Sequence, residues 1–227
     1  MKLSIVIPVY NECDTILSII GKVKMLNRDK EIIIVDDGSD DGTIEKLASI
    51  KDDIVKVLYH TKNLGKGAAL RTAFEHVSGD IVAIQDADLE YDPRELNELV
   101  EPIVRGDADV VYGSRLSGGK LQRVYLFWHK VGNIFLTLIT NILFNTTLTD
   151  IETCYKVFRS NLLKELNLKS NDFTIEAEIT AKLLKKKLRI FEMPISYYGR
   201  TYAEGKKISW RHGFGALFAL VKYRLMD

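Results

Sequence analysis

Asp86 and Asp88 stand one residue apart behind the apolar run at 81–84, and Glu90 follows two residues later. Two carboxylates so placed can aim at one point if the chain turns there. An all-oxygen donor set suits Mg²⁺ or Mn²⁺ and not zinc. Glu90 is the candidate third ligand. Such ions bind through a few carboxylates together with substrate phosphates, so the predicted chemistry is stabilisation of a departing diphosphate. The plainer alternative is that these acids open the next helix, whose N-terminal dipole favours them. An Asp-x-Asp alone leaves both readings open.

Other stretches invite similar chemistry. Residues 36–43 read Asp-Asp-Gly-Ser-Asp-Asp-Gly-Thr. Asp and Gly make turns, and Asp41 or Thr43 would cap the following helix. Asp37 stands where a carboxylate after the second strand of a Rossmann-like sheet holds a base or ribose. Residues 63–68, Asn-Leu-Gly-Lys-Gly-Ala, precede a helical pattern. Glycines there allow close approach of a ligand, and a helix N-terminus favours anions. Lys66 is followed by glycine and not by Ser or Thr, so this is not a P-loop. A tight loop packed under the sheet is the structural alternative.

These residues need a frame that gathers them. Short β-branched runs predict strands at 3–9, 31–35, 55–58, 81–84 and 109–112, and helical spacing of apolar residues predicts helices at 15–26, 42–49, 68–77 and 93–104. Pro93 suits the first turn of its helix, where its missing N–H is not needed. The alternation argues for βαβ units on a mostly parallel sheet, an α/β fold whose ligands bind at the carboxyl ends of the strands. Pro8-Val9-Tyr10-Asn11-Glu12, Asp36–Thr43, Gln85–Glu90 and Gly113-Ser114-Arg115 all follow strands, so they share one sheet edge. Beyond about residue 116 the pattern changes. Residues 124–148 are apolar, 154–158 and 190–198 read as extended, 173–184 as a helix ending in a basic run, and 210–225 as an amphipathic helix with basic residues. With no repeat and no linker, the expectation is one domain over 1–227, its first half (1–116) nucleotide- and metal-facing and the remainder (117–227) acceptor-facing.

Composition narrows the class. Lys and Arg number 32 against 31 Asp and Glu, a net charge of +1, so bulk charge gives no nucleic-acid footprint. Two cysteines, Cys13 and Cys154, are too few for a disulfide framework or a structural zinc site. No signal peptide is evident at the N-terminus. A dinucleotide-dependent oxidoreductase would need a Gly-x-Gly-x-x-Gly turn after the first strand, and Pro8–Glu12 is the wrong turn chemistry.

The ordered series SIVIPVYNE, VDDGSDDGT, NLGKGAAL and QDADLEYDP resembles glycosyltransferase family 2, strongly over about 1–116. Asp-Ala-Asp, Gly113-Ser114-Arg115, the segment Thr149-Asp150…Thr153-Cys154-Tyr155-Lys156-Val157-Phe158 and the later Arg200…Lys206-Lys207 make it similar to the dolichol-phosphate mannose synthase and polyprenyl-phosphate glycosyltransferase branch. The resemblance implies a GT-A fold and an inverting transfer of a hexose from a nucleotide-sugar to a polyprenyl or dolichyl phosphate. It implies that Pro8, Tyr10 and Glu12 line the base and ribose, and that Asp37 contacts the nucleoside, with Lys66 on the same donor side. Asp86 and Asp88 would hold the metal with Glu90 near them. Arg200 and Lys207 would clamp the diphosphate from a flexible loop, and Arg115, His129 and Lys130 would bind the acceptor phosphate. Asp88, Arg115 and Asp150 are the catalytic candidates. Asp150 is the base if the acceptor is a sugar hydroxyl, and otherwise a turn, cap or acceptor-positioning residue. Transfer to a soluble glycan, or nucleotide-sugar binding without catalysis, are the competing functions; intact Asp86 and Asp88 speak against the second.

A phosphate monoester has a second pKa of about 6 and is largely dianionic near neutrality, so it attacks without a strong base. Residues 131–148 are interrupted by Asn133, Asn141 and Asn145 and are shorter than the roughly 20 apolar residues a span needs. An interfacial helix beside a lipid groove is the expectation, with the basic helix at 210–225 on an anionic surface. The enzyme is therefore expected at the cytoplasmic face of the membrane as a peripheral protein, with a membrane-anchored subunit as a possible partner.

Overall fold

The computed structural model describes residues 1–124, 126–207 and 211–226. Strands β1 (Leu3–Val9), β2 (Lys30–Asp36), β3 (Val55–Tyr59), β4 (Ile81–Ile84), β5 (Val110–Ser114), β6 (Lys156–Arg159) and β7 (Ile190–Pro194) form one seven-stranded sheet in the order β3-β2-β1-β4-β6-β5-β7. β6 runs antiparallel between β4 and β5, and the other pairings are parallel. The sheet is mostly parallel, as expected. Its central strands are apolar almost throughout because helices cover both faces: Ile5, Val6, Ile7, Ile32, Ile33, Ile34, Val82 and Val111 are all buried.

Helix α1 (Ile16–Lys24) buries Ile16, Ile19, Ile20 and Val23, the i, i+3, i+4, i+7 stripe of an amphipathic helix. Helices α2 (Thr43–Ala48), α3 (Lys66–Phe74) and α4 (Leu96–Val104) complete the first half. A 3₁₀ turn at Pro93–Glu95 leads into α4, with the Asp92 side chain accepting the Arg94 N–H as a cap and Pro93 in the first turn. In the second half come α5 (Phe127–Phe144), α6 (Asn161–Leu166), α7 (Ile175–Lys185) and α8 (Arg211–Leu225). The sequence places the start of the last helix at Trp210, which lies outside the described residues, as does the side chain of Arg211. The α6 helix is absent from the sequence reading. It has six residues and buries only Leu162 and Leu166, too few positions to show a period.

The strand order reverses at β1. Its neighbours are β2 on one side and β4 on the other, each parallel to it. Such a reversal splays the connecting loops apart and leaves a crevice at the carboxyl ends of the strands. The loops after β1, β2 and β4 meet there.

Candidate active site

The chain turns directly after β4. Leu89 takes a left-handed φ of 61°, and Asp88 Oδ1 accepts the Glu90 N–H at 3.0 Å. Asp86 Oδ1 lies 2.8 Å from Lys66 Nζ at the head of α3. Burial pushes the Asp88 carboxyl up to about 8, reinforced by the charges of Asp86 and Glu90 and opposed by the Glu90 N–H and Arg200. Carboxylates crowded together in this way favour uptake of a cation or a proton.

Glu90, the candidate third ligand, stands beside Asp86 and Asp88 with its own partners. Its Oε2 accepts the Tyr197 hydroxyl at 2.7 Å and its Oε1 the Arg200 N–H at 2.6 Å, with Lys206 Nζ 3.6 Å away. Both oxygens therefore fasten the 197–206 segment across the cleft. Among the described residues no three His, Cys, Asp or Glu side chains form a metal-holding group. The two carboxylates Asp86 and Asp88 remain as the candidate pair.

A cleft of about 320 Å³ opens beside them, and Pro8, Tyr10, Glu12, Asp37, Lys66, Asp86, Arg200 and Lys207 all line it. The structure thus brings together every residue expected on the donor side. Their contacts refine the roles. Asp37 accepts the Leu64 N–H at 3.0 Å and the Gly65 N–H at 2.7 Å, and its Oδ1 lies 2.6 Å from His60 Nδ1. It holds the 63–65 loop in place while facing the cleft. Gly65 and Gly67 serve that loop too. A Cβ on Gly65 would lie 2.3 Å from the Asn171 carbonyl oxygen, and one on Gly67 2.4 Å from that of Ser170. Their small size admits a neighbouring backbone, the packed-loop alternative, while Gly65 also lines the cleft.

Arg200 and Lys207, expected to clamp a diphosphate, converge on Glu12 at 2.8 Å each. Arg200 Nε also donates to the Asp88 carbonyl at 2.9 Å. The 200–207 segment is thereby docked over the cleft, shaped by a 3₁₀ turn at Tyr202–Glu204 with a Thr201/Glu204 capping box.

A second cavity of about 150 Å³ adjoins the first, and Lys66, Asp86, Asp88 and Glu90 line both. Arg115, His129 and Lys130 line its far side. The Arg115 guanidinium makes a bidentate pair with Asp150, 2.7 Å on each arm, and the Arg115 N–H adds a third bond at 2.9 Å. Asp150 is wholly buried. Of the two roles expected of Asp150, this geometry fits the positioning one, a carboxylate sealed under Arg115 that holds that side chain. His129 lies 2.7 Å from the Tyr202 hydroxyl through Nε2, and its pKa is lowered, by burial first and then by Lys206, against the pull of Glu90.

Two features of this floor escaped the sequence. Lys66 Nζ bridges Asp86 and Glu176, the latter at 3.0 Å, and Glu176 in turn lies 2.5 Å from the fully buried Lys156 Nζ. Lys156 also donates to the Ile151 and Thr153 carbonyls. The signal was a lysine inside the apolar run 154–158. The other feature is Glu152, which lines the second cavity and stands two residues beyond the aspartate that drew attention.

Outside this cavity α5 buries only Leu136, Thr137 and Thr140. It exposes Phe127, Trp128, Ile134, Phe135, Leu138 and Ile142, and α8 exposes Phe214, Phe218 and Leu225. No helix among the described residues is long and apolar enough to cross a membrane.

Known proteins are similar to this chain in sequence and in fold. The low-salt glycan biosynthesis hexosyltransferase Agl6 of Haloferax volcanii is 33% identical over 217 residues, covering 92% of this chain and 52% of that protein. The dolichol-phosphate mannosyltransferase of Pyrococcus furiosus is 31% identical over 218 residues, covering 91% of this chain and 59% of that protein. The chain thus spans a little over half the length of these relatives. In three dimensions the glucosyl-3-phosphoglycerate synthase of Mycobacterium tuberculosis, crystallised with Mn²⁺, uridine diphosphate and phosphoglyceric acid, superposes with a TM-score of 0.75 at 20% identity, covering 100% of this chain and 79% of that one. That likeness assigns the GT-A fold. The sequence profile of glycosyl transferase family 2 matches residues 4–166, from β1 through both acidic loops to α6, and the chain accordingly belongs to that family of glycosyltransferases.

Proposed function

We propose that this chain transfers a hexose from a nucleotide-sugar to a polyprenyl or dolichyl phosphate, with inversion at the anomeric carbon. The observation that carries the reading is the pair of adjoining cavities meeting at Asp86 and Asp88, the larger lined by the donor residues and the smaller by Arg115, His129 and Lys130. The relatives named above, a hexosyltransferase and a dolichol-phosphate mannosyltransferase, support the same chemistry.

The donor set fits a hard divalent cation. Asp86 and Asp88 offer oxygen only, and the raised Asp88 carboxyl marks a site short of positive charge. These two residues would hold Mg²⁺ or Mn²⁺, which supplies charge neutralisation for the departing nucleoside diphosphate. Arg200 and Lys207 exchange Glu12 for the diphosphate and add the remaining positive charge. Arg115, fixed by Asp150 through two of its N–H groups, offers its remaining guanidinium N–H donors to the acceptor phosphate. That phosphate oxygen attacks the anomeric carbon as the bond to the diphosphate breaks, and as a dianion it needs no base.

The exposed apolar faces of α5 and α8 support a peripheral membrane position, with His129 and Lys130 at the α5 end nearest the cavity. The cytoplasmic face is the side that this reading takes. A membrane-anchored subunit would cover the same apolar faces.

One observation favours a hydroxyl acceptor instead: Glu152 in the second cavity is a carboxyl able to act as a base. Arg115→Ala separates the two readings. For a phosphate acceptor its KM for polyprenyl phosphate rises at least about tenfold, the loss of one charge-assisted contact, while donor affinity by calorimetry stays put. Equal loss of donor and acceptor affinity would remove Arg115 from the acceptor site.

A further inference from the structure

Glu152 lies in the loop between α5 and β6 and lines the smaller cavity with Arg115, His129 and Lys130. Its Oε1 is shut off from water and has no hydrogen-bond partner. Buried carboxylate oxygens in native proteins are almost always bonded, so an orphan beside a binding cavity points to a ligand group.

The surrounding charges decide which form of the carboxyl is present. Arg115, at the end of β5, is committed to Asp150. Lys156, in β6, is committed to Glu176 of α7 and to two carbonyls. These two cations are thus paired before Glu152 is counted. Its carboxyl is pushed up to about 7, by burial first. Lys156 pulls it down, Glu176 up, Arg115 down and Asp150 up. A neutral carboxyl offers one O–H donor, whereas an ionised one only accepts. A phosphate monoester dianion offers only acceptors, and an ionised carboxylate at its side would repel it.

We propose that Glu152 is the acceptor-recognition residue of the smaller cavity, a neutral carboxyl that donates a hydrogen bond to an oxygen of the acceptor phosphate. This rests on the lipid-phosphate reading above. The proton balance is simple. One phosphate oxygen forms the new bond to the anomeric carbon as the bond to the diphosphate breaks. The dianion becomes a diester monoanion, and the Glu152 proton stays on the carboxyl throughout. Glu152 thereby makes acceptor binding, and not donor binding, sensitive to pH around neutrality.

The test uses the whole chain with Mg²⁺, farnesyl phosphate as acceptor, and labelled GDP-mannose, UDP-glucose or UDP-N-acetylglucosamine as donor. With wild type, the acceptor KM rises about tenfold or more between pH 6.5 and 8.5 as the donor hydrogen bond is lost to ionisation. Glu152→Gln keeps a donor N–H but cannot ionise. Its acceptor KM is flat across that window and within about threefold of wild type at pH 6.5. Glu152→Ala raises the acceptor KM at both pH values, with melting temperature as the check on folding. His129 and His212 face the same cavity, so the Gln variant, not the wild-type slope alone, decides. A Gln variant that follows the wild-type slope overturns the proposal. So does one whose kcat collapses with that of Ala, because the carboxylate would then be acting as a base. Wild type that glycosylates a sugar hydroxyl but no farnesyl phosphate would instead sink the lipid-phosphate reading itself, and this inference with it.

Discussion

At the scale of single residues, the site works through charges held in tension. Asp88 is raised because burial and two acidic neighbours oppose its ionisation. Asp88→Asn keeps the shape and removes that repulsion. Turnover should fall by about 10²-fold or more, the cost of losing one element of transition-state charge stabilisation, while the melting temperature holds or rises. Full activity in Asp88→Asn would remove Asp88 from the metal site. Asp150 makes the opposite prediction. It is wholly buried and neutralises Arg115 through two 2.7 Å bonds. Asp150→Ala leaves a buried guanidinium unpaired and should cost about 3–5 kcal/mol in denaturant unfolding. A loss below about 1 kcal/mol, with activity gone, would restore Asp150 as a base in place of a positioning residue.

At the scale of elements, what was legible depended on distance along the chain. The strands announced themselves because β-branched runs buried on both faces leave little alternative. The helices showed where apolar residues recurred at helical spacing, as in α1, or where turn and cap residues opened the segment, as in α2. Pairings between remote segments were hidden. That Glu90 would bond Tyr197, or Gly65 lie under Asn171, follows only from a sheet that brings β4, β7 and the 170–172 stretch together. Gly65→Ala tests this packing. At φ 100° with the Asn171 carbonyl in the way, it should destabilise the fold by about 1–3 kcal/mol and loosen the loop held by Asp37. An unchanged melting temperature would contradict it. Glu31 ties the starts of β1 and β2 to the 78–79 turn. Burial alone would raise its pKa, but Lys2, Ser4 and Ser78 outweigh this and hold it at about 2 against an ordinary 4.5. The stability it gives, about 1–2 kcal/mol after solvent screening, is fully present above pH 4.5 and is lost as pH falls towards 2. Glu31→Gln should flatten that acid limb of the unfolding profile, and an unaltered limb would show that Glu31 contributes nothing there.

At the scale of the molecule, one sheet edge joins two cavities, and the second half of the chain builds the outer one. Its α5 and α8 faces present Trp128, Phe135, Phe214 and Phe218 to the outside. Large apolar side chains grouped on exposed helix faces mark an interaction site. Trp128→Glu with Phe135→Glu should abolish sedimentation with anionic vesicles while leaving transfer to a short soluble acceptor intact. Retained sedimentation would place the membrane contact elsewhere.

The most direct measurement is transfer itself. The chain with Mg²⁺ or Mn²⁺ and a polyprenyl phosphate is offered labelled GDP-mannose, UDP-glucose and UDP-N-acetylglucosamine separately, and label is counted in the organic phase. Label from one donor, abolished by chelation and by Asp88→Asn, is the predicted result. Donor binding without any lipid-linked label, together with transfer to a sugar hydroxyl, would contradict the lipid-phosphate assignment.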